Sequence, residues 1–303
     1  FGGCSRFYHW IYGYSHIVYL GEERCSLLMG KRRIWKSVLY QAAATGIGLL
    51  VIFPVLYALG TSFMKSTEIL SLNPRMLPRR IDFSNYHAVW ENTMMLRFIW
   101  NSVFVTTITC CLRVVTAALA AYGYACFDFK GKNLFFYLTV GTMLIPGEAT
   151  LLTNYETISK LHMINTYQGI IIMFIGSATS VFIMRQYFLG VSASIKEASE
   201  MDGCGDIRFF TRILIPISKP ILVTVFITAF VEIWNVYLWP MLITNRNEMR
   251  TVQVGIAQLN SSEGSAYGVI MAGAVIVLIP SLLVFIIFQK QIINGMVTGS
   301  VKG

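Results

Sequence analysis

The chain has 303 residues, of which 55% are hydrophobic and only 13% are charged. Soluble domains carry about 25% charged residues, whereas the mean hydropathy here is +0.60. This composition excludes an ordinary soluble enzyme, a disordered chain and a secreted disulfide scaffold, because too much apolar surface would face water. The formal net charge of +9 does not indicate nucleic-acid binding, since the basic residues lie between apolar runs. The sequence predicts an integral membrane protein.

The apolar runs predict an all-α fold with six transmembrane helices. A helix needs about 20 largely apolar residues to cross about 30 Å of hydrocarbon. The third run is the least regular, because Pro146, Gly147 and Glu148 lie near its end. The six predicted spans are residues 38–62, 100–125, 134–153, 168–185, 220–241 and 268–288.

The distribution of Lys and Arg predicts the orientation of the chain in the membrane. With the N-terminus inside, the cytoplasmic segments contain 15 of the 24 basic residues and the external segments contain 8. An excess of Lys and Arg marks the cytoplasmic loops of membrane proteins. We therefore expect both termini in the cytoplasm, an N-in/C-in topology.

The first 28 residues do not fit this pattern. Residues 1–28 show neither sustained helical periodicity nor the layout of a signal peptide. Met29 is followed by Gly-Lys-Arg-Arg and then by the first span. We expect the natural protein to start at Met29, with residues 1–28 as a non-native or upstream extension and residues 29–303 as the membrane domain. An amphipathic N-terminal arm is the alternative.

The predicted cytoplasmic loop between the fourth and fifth spans, residues 186–219, has the composition of a folded module. Connections longer than about 15 residues are usually functional or disordered. Residues 195–201 predict a short helix, Gly203 and Gly205 interrupt it, and Asp206 could cap a second helix. A helix–glycine–helix module of this kind is suited to docking into a groove on a partner protein.

The loop also carries a specific pattern, Glu197-Ala-Ser-Glu-Met-Asp-Gly203, then nine residues, then Ile213-Leu-Ile-Pro216. This pattern resembles the EAA loop of ABC importer permeases, from which it departs only at Ser199 and Ile215. The likeness extends from about Met29 to the C-terminus and resembles the smaller permease subunit of maltose-type carbohydrate importers. Further matching segments are Ala120–Ala125, Phe129–Asn133, Asn165–Tyr167, Arg185–Phe188, Trp234–Pro240, Met271–Ala274 and Gly299–Gly303.

The resemblance implies that this chain is not an enzyme and that a separate ATPase drives transport. The chain contains no G-x-x-x-x-G-K-[ST] motif, so it would bind no cofactor itself, and ATP and Mg would belong to the ATPase. Glu197 would anchor the loop through its charge, and Gly203 would permit its sharp turn. The residues expected to couple the chain to the ATPase are Glu197, Ala198, Asp202, Gly203, Ile213 and Pro216.

The resemblance also implies partners and a location. The partners would be a second permease subunit, a dimer of the ATPase, an extracytoplasmic solute-binding protein and the lipid bilayer of a bacterial cytoplasmic (inner) membrane, with no nucleic acid. The cargo would be a carbohydrate or, alternatively, glycerol-3-phosphate, because residues 143–148, 177–179 and 250–255 look closer to the glycerol-3-phosphate branch. A secondary carrier or channel is the alternative of another class, but we find no inverted repeat.

Polar and aromatic residues inside the predicted spans are a second set of candidate functional residues. Ionisable residues at membrane depth are expensive and usually face a partner or a cavity. Arg113 in the second span and Glu232 in the fifth are expected to pair, with contact to substrate or to the second permease as the alternative. Trp234, Asn235 and Tyr237 could line a translocation pathway, because aromatic faces and amides bind sugars. An interfacial aromatic belt is the alternative, and it would explain Tyr237 and Trp239 without any ligand.

The sequence predicts neither a metal site nor a membrane-embedded enzyme. The six cysteines form no CxxC pair, and the four histidines lie in residues 1–28 or in predicted external segments. Spacings that would hold a metal ion or an intramembrane acid–base pair are not found in the sequence.

Overall fold

The computed structural model of the chain describes the backbone of residues 15–71, 76–191, 193–262 and 267–300. Side chains are described for residues 38–71, 76–191, 194–259 and 267–289. Helices account for most of these residues, and no β-strand occurs among them. The chain divides into two compact units, residues 1–57 and 58–303.

The α-helices of the described residues are numbered in chain order. They are α1 Ser15–Ser62, α2 Ser66–Ile69, α3 Ser84–Asn92, α4 Met95–Cys126, α5 Lys132–Gly141, α6 Leu151–Lys160, α7 Tyr167–Ile175, α8 Ala178–Leu189, α9 Ala193–Met201, α10 Asp206–Phe209, α11 Ile215–Ile217, α12 Lys219–Trp234, α13 Leu238–Ile243, α14 Val252–Ser262 and α15 Tyr267–Ser300. Single 3₁₀ turns lie at Thr142–Leu144, Gly147–Thr150 and Asn247–Met249, and a π-helical turn lies at Phe210–Leu214.

Three helical segments are long and apolar enough to cross a bilayer by themselves: Val38–Ser62, Met95–Cys126 and Tyr267–Gln289. They correspond to the first, second and sixth predicted spans. Three further apolar segments are pairs of helices joined at a bend. The pairs are Lys132–Leu144 with Gly147–Lys160 (94°), Tyr167–Ile175 with Ala178–Leu189 (45°) and Asp206–Ile217 with Lys219–Trp234 (76°). By length and composition, the described residues therefore contain three candidate spans, or up to six if each bent pair counts as one.

The bends in the third and fourth spans differ from the uninterrupted helices predicted at 134–153 and 168–185. Ile145 adopts an extended conformation (ψ 115°), because a following proline excludes the helical conformation from the residue before it. Gly176 and Ser177 are extended as well, and the Ser177 hydroxyl accepts a hydrogen bond from an amide of the first turn of α8. This side chain starts a new helix rather than continuing α7.

The fifth span also departs from its predicted bounds of 220–241. α12 ends at Trp234, and Asn235 follows it as the C-cap. The Asn235 side-chain amide donates to the carbonyl oxygen of Val231 at 2.7 Å. α13 then begins at Leu238 after a short break, so residues 220–241 are two helices.

The N-terminal helix extends further than the sequence indicates. α1 begins at Ser15, within the segment for which the sequence predicts no sustained helix. Residues 1–14 lie outside the described part of the chain. The assignment of residues 1–28 as an extension stays a prediction.

α4 is the central helix of the unit formed by residues 58–303. It contributes buried side chains to each of the three apolar clusters of this unit. Phe98 packs in a cluster with α12, α14 and α15, Ala118 in one with α8 and α12, and Val105 in one with α6, α7 and α13. Small residues of α4, such as Ala121 (0% exposed), permit the close approach of neighbouring helices. The helices of all three clusters are therefore positioned against α4.

Candidate functional site

Residues 193–217 form a helix–glycine–helix module, which includes α9, α10 and α11. Gly203 has φ +72°, a left-handed conformation that glycine adopts at little cost. The Gly203 amide donates to the Glu200 carbonyl oxygen at 3.0 Å, and the Cys204 amide donates to that of Ser199 at 2.9 Å. These two bonds are a Schellman motif, which ends a helix by satisfying its last carbonyl groups. The geometry therefore gives Gly203 the turn position expected from the sequence.

Lys196 fastens the module to the C-terminal end of α4. Its ammonium group donates to the Cys126 carbonyl oxygen at 2.9 Å and lies 3.6 Å from a carboxylate oxygen of Glu200. The last carbonyl groups of a helix have no partner within the helix, and they carry the negative end of its dipole. Lys196 supplies both a hydrogen-bond donor for such a carbonyl and a positive charge at the negative end of the helix dipole. The sequence alone did not indicate this contact.

A second attachment joins α10 to the same end of α4. The Tyr122 hydroxyl donates to the Asp206 carbonyl oxygen at 3.1 Å. The Tyr122 ring lies 4.9 Å from that of Phe210 and 5.1 Å from that of Phe127, measured between centroids. Phe209 is 3% exposed, so the apolar side of the module is part of the protein core. The module is a folded extension of α4 and α8 rather than a free loop.

The opposite side of the module is open. Glu197 and Ala198 are exposed on α9, and Asp202 is exposed directly after its last residue. The carboxylates of Glu197 and Asp202 make no hydrogen bond or ion pair to another described residue. Large apolar side chains flank them, with Met201 84% and Ile207 81% exposed. The result is an acidic and apolar surface of the kind that a protein partner covers.

An open groove runs along this surface. Ala198, Asp202 and the half-buried Ile213 line it together with Arg208. Pro216 is exposed in α11 and is not part of the groove lining. The structure thus brings three of the six residues expected in coupling to one groove, with Glu197 on the same helix and Gly203 at its end.

The intramembrane residues Arg113 and Glu232 lie in contact. Arg113 Nη1 is 2.6 Å from Glu232 Oε2, and Arg113 Nη2 is 3.5 Å from Oε1. The two partners differ in accessibility, because the Arg113 side chain is 3% exposed and that of Glu232 is 59% exposed. Arg113 also donates through Nε to the Phe174 carbonyl oxygen at 2.7 Å. One guanidinium group therefore joins α4, α7 and α12.

The bend between α7 and α8 explains why a donor is needed at this depth. The break at Gly176 and Ser177 removes the helical partners of the last carbonyl groups of α7. Arg113 satisfies the Phe174 carbonyl, and the Thr116 hydroxyl lies 3.0 Å from the Ile175 carbonyl oxygen. Irregular backbone at membrane depth requires such partners within the protein. α4 supplies both of them.

The structure places the tryptophans near the end of α12 differently from both interpretations of the sequence, the translocation pathway and the interfacial aromatic belt. Trp234 is 2% exposed and stacks on Phe230 at 5.6 Å between ring centroids, so its face is not open to a ligand. Trp239 is 4% exposed and donates to the Gly169 carbonyl oxygen at 3.1 Å, so it does not belong to a lipid-facing belt. Tyr237 is half-buried, and Asn235 alone of the three pathway candidates is exposed.

Asn101 is a buried polar residue that sequence reasoning missed. It is fully buried in α4, where its amide donates to the carbonyl oxygens of Glu248 and Arg250 at 2.8 and 2.9 Å. Its side-chain oxygen accepts from the Tyr167 hydroxyl at 2.7 Å. The role of a single asparagine in an apolar run cannot be predicted from the sequence, because the backbone carbonyls that it binds lie 147 and 149 residues further along the chain.

A bundle of straight and bent apolar helices, in which the module of residues 193–217 follows the fourth segment and includes the first half of the fifth, defines a membrane permease. The family model of binding-protein-dependent transport system inner membrane components matches residues 42–297. The chain belongs to this family.

Individual relatives agree with the family assignment. The chain is 33% identical over 260 residues to the arabinooligosaccharides transport system permease protein AraQ of Bacillus subtilis, covering 85% of this chain and 92% of the relative. It is 30% identical over 258 residues to the sn-glycerol-3-phosphate transport system permease protein UgpE of Brucella melitensis, covering 82% and 92%. A chain in the crystal structure of a bacterial ABC transporter that imports the acidic polysaccharide alginate superposes with a TM-score of 0.76 at 26% identity, covering 86% and 97%.

We expect Arg113→Met to lower the melting temperature of the purified protein in detergent by several degrees. The substitution leaves the Phe174 carbonyl and Glu232 without their donor, and hydrogen bonds to charged groups contribute about 1.5–3 kcal/mol each. Arg113→Lys should fall between wild type and Arg113→Met, because one ammonium group lacks the guanidinium fork. Arg246→Met, at an exposed position, is the control. Equal melting temperatures for Arg113→Met and the control would contradict this role.

We expect Gly203→Val to open the end of α9, whereas Gly203→Asn should preserve it. An added Cβ meets no other atom within 4 Å at this position, so the difference isolates the backbone conformation. A left-handed residue costs about 1–2 kcal/mol outside glycine, and asparagine adopts it more readily than a branched residue. Hydrogen exchange of the Gly203-position and Cys204 amides should accelerate about 5- to 30-fold in Gly203→Val only. Equal protection in both variants would show that the turn does not depend on this conformation.

Proposed function

We propose that this chain is the smaller permease subunit of an ABC importer that carries a carbohydrate across the bacterial cytoplasmic membrane. The family assignment supports the permease role, and the Bacillus subtilis relative supports an oligosaccharide as the cargo. Glycerol-3-phosphate is the second candidate, supported by the Brucella melitensis relative. The chain itself would hold no cofactor, since ATP and Mg would bind to a separate ATPase.

The open side of the module is the observation that carries the coupling role. Glu197 and Asp202 are exposed carboxylates without an internal partner, and Met201 lies exposed beside them. Charged groups at a protein interface fix register and orientation, while apolar side chains supply contact area. We assign this surface to the cleft of the ATPase, with Glu197, Ala198, Asp202 and Ile213 in contact, Gly203 shaping the turn and Pro216 leading toward α12.

The attachments of the module determine what its movement does. Lys196 and Tyr122 bind α9 and α10 directly to α4. α4 in turn binds α7 and α12 through Arg113. A displacement of the module by the closing ATPase is therefore passed to the bent spans, as alternating access requires.

The remaining assembly follows from this assignment. The N-in/C-in topology would put the module in the cytoplasm, where the ATPase dimer binds. A second permease would complete the pathway, and an extracytoplasmic solute-binding protein would deliver the cargo to the segments on the other side, which include α3 and α14.

Charge reversal at Glu197 tests the coupling surface. We expect Glu197→Lys to reduce co-purification of the ATPase and ATP-dependent uptake of an arabinooligosaccharide at least tenfold, because truncating or reversing an interfacial charge costs about 2–5 kcal/mol. Glu156→Lys is the matched control, since Glu156 is an exposed glutamate on α6, on the predicted external side. Membrane insertion of both variants, measured by yield from washed membranes, should equal that of wild type.

Three outcomes separate the possibilities. Loss of the ATPase in Glu197→Lys alone supports the proposed contact. Normal ATPase binding in both variants would overturn the assignment of the module. Failure of the tagged wild-type chain to retain any ATPase or second permease would overturn the importer itself.

A further inference from the structure

A polar stripe follows one exposed side of α12. Thr224, Thr228, Glu232 and Asn235, here called the α12 stripe, recur at intervals of four, four and three residues. This spacing puts them on one helix face. Thr228, Glu232 and Asn235 are exposed and Thr224 is half-buried. Apart from Lys219 at its start, the rest of α12 is apolar. Its buried residues pack against α4 and α15, and the exposed Val231 borders the stripe.

The α12 stripe differs in polarity from the exposed face of α15. The exposed side chains of α15 within the described residues 267–289 are predominantly apolar. The large ones are Tyr267, Ile279, Leu282, Leu283, Phe285, Ile286 and Ile287. A carboxylate and an amide facing hydrocarbon would be costly. The α12 stripe must therefore face a water-filled pathway or another protein.

Its hydrogen-bonding groups are mainly acceptors. The hydroxyls of Thr224 and Thr228 lie 2.9 and 3.1 Å from the carbonyl oxygens one turn earlier in the helix, to which they donate. The Asn235 amide donates to the Val231 carbonyl oxygen in the same way. Because the threonine hydroxyls donate within the helix, their oxygen lone pairs remain on the open side, whereas the Asn235 oxygen accepts from the Gln253 amide at 3.4 Å.

The ion pair gives this surface a negative charge, because only its carboxylate is exposed. The Arg113 guanidinium is enclosed, whereas the Glu232 carboxylate is 59% exposed. A molecule passing along α12 meets the negative end of the pair and not its positive end. Hydroxyl groups can donate to this carboxylate, while phosphate and uronate groups are repelled by it.

We propose that the α12 stripe lines the translocation pathway and that Glu232 is a specificity residue, favouring neutral hydroxyl-bearing cargo over anionic cargo. This inference rests on the proposed function and deepens it. Of the two cargo classes considered there, it selects the neutral oligosaccharide over glycerol-3-phosphate.

Thiol labelling tests both parts without a known cargo. Thr228→Cys is placed in a background whose six native cysteines are replaced by alanine and which retains its assembled partners. Right-side-out membrane vesicles, with and without ATP inside, are treated with cationic trimethylammonioethyl methanethiosulfonate or anionic sulfonatoethyl methanethiosulfonate. Leu283→Cys, on the exposed apolar face of α15, is the matched control for a lipid-facing position.

We expect Thr228→Cys to react with both reagents and Leu283→Cys with neither. The cation-to-anion rate ratio at Thr228→Cys, divided by the ratio for free 2-mercaptoethanol, should exceed about fivefold, because the Glu232 charge lies one helical turn away. Adding Glu232→Gln leaves the Arg113 guanidinium without its counter-charge, so the ratio should fall to that of the free thiol or below it. Glu232→Asp keeps the charge and should keep the ratio within about twofold.

Each result decides one point. A Thr228→Cys variant as unreactive as Leu283→Cys would show that the stripe is covered by protein, and the inference fails. A reactive Thr228→Cys with the free-thiol ratio would remove the specificity role of Glu232, even if Glu232→Gln does not assemble. If the ATPase co-purifies in these experiments, either failure leaves the proposed function intact. If it does not co-purify, the proposed function fails independently of the labelling.

Discussion

The bundle depends on the position of one buried guanidinium group. Arg113 lies inside α4 and reaches both the carbonyl at the end of α7 and the carboxylate of α12. A guanidinium has five donors in a rigid fork, so it can serve two acceptors in different directions at once. Without such a donor, the bend between α7 and α8 would expose unsatisfied backbone at membrane depth. The same side chain thus satisfies the kinked span and forms the ion pair.

α4 carries comparable contacts along its whole length. Near its N-terminus, Asn101 holds the backbone around Glu248 and Arg250. Near its C-terminus, the Cys126 carbonyl and the Tyr122 hydroxyl hold α9 and α10. A long helix transmits displacement along its axis with little loss, because its backbone hydrogen bonds are all internal. Contacts at the two ends of α4 are therefore linked through one continuous helix.

The sequence was informative where a residue is unusual for its surroundings. A charge in an apolar run indicated Arg113 and Glu232, and a glycine in a short helical pattern indicated the turn at Gly203. The bend at Gly176 was not predictable, because the donor to the carbonyl of the preceding Phe174 lies 61 residues earlier in the sequence, at Arg113. The burial of Trp234 was not predictable either. The sequence around a tryptophan looks the same whether its ring lines a pathway or packs against another ring, as Trp234 does against Phe230.

The short helices α7 and α8 bear on how the chain enters the membrane during synthesis. With 9 and 12 residues, they are roughly 14 and 18 Å long, and neither alone crosses about 30 Å of hydrocarbon. Because α4 precedes them in the chain, the donors that stabilise their junction leave the ribosome before the carbonyls that need them. Glu232 follows Arg113 by 119 residues, so the arginine is synthesised long before its counter-ion. The order of the segments in the chain thus lets an early helix serve as the template on which a broken one is inserted.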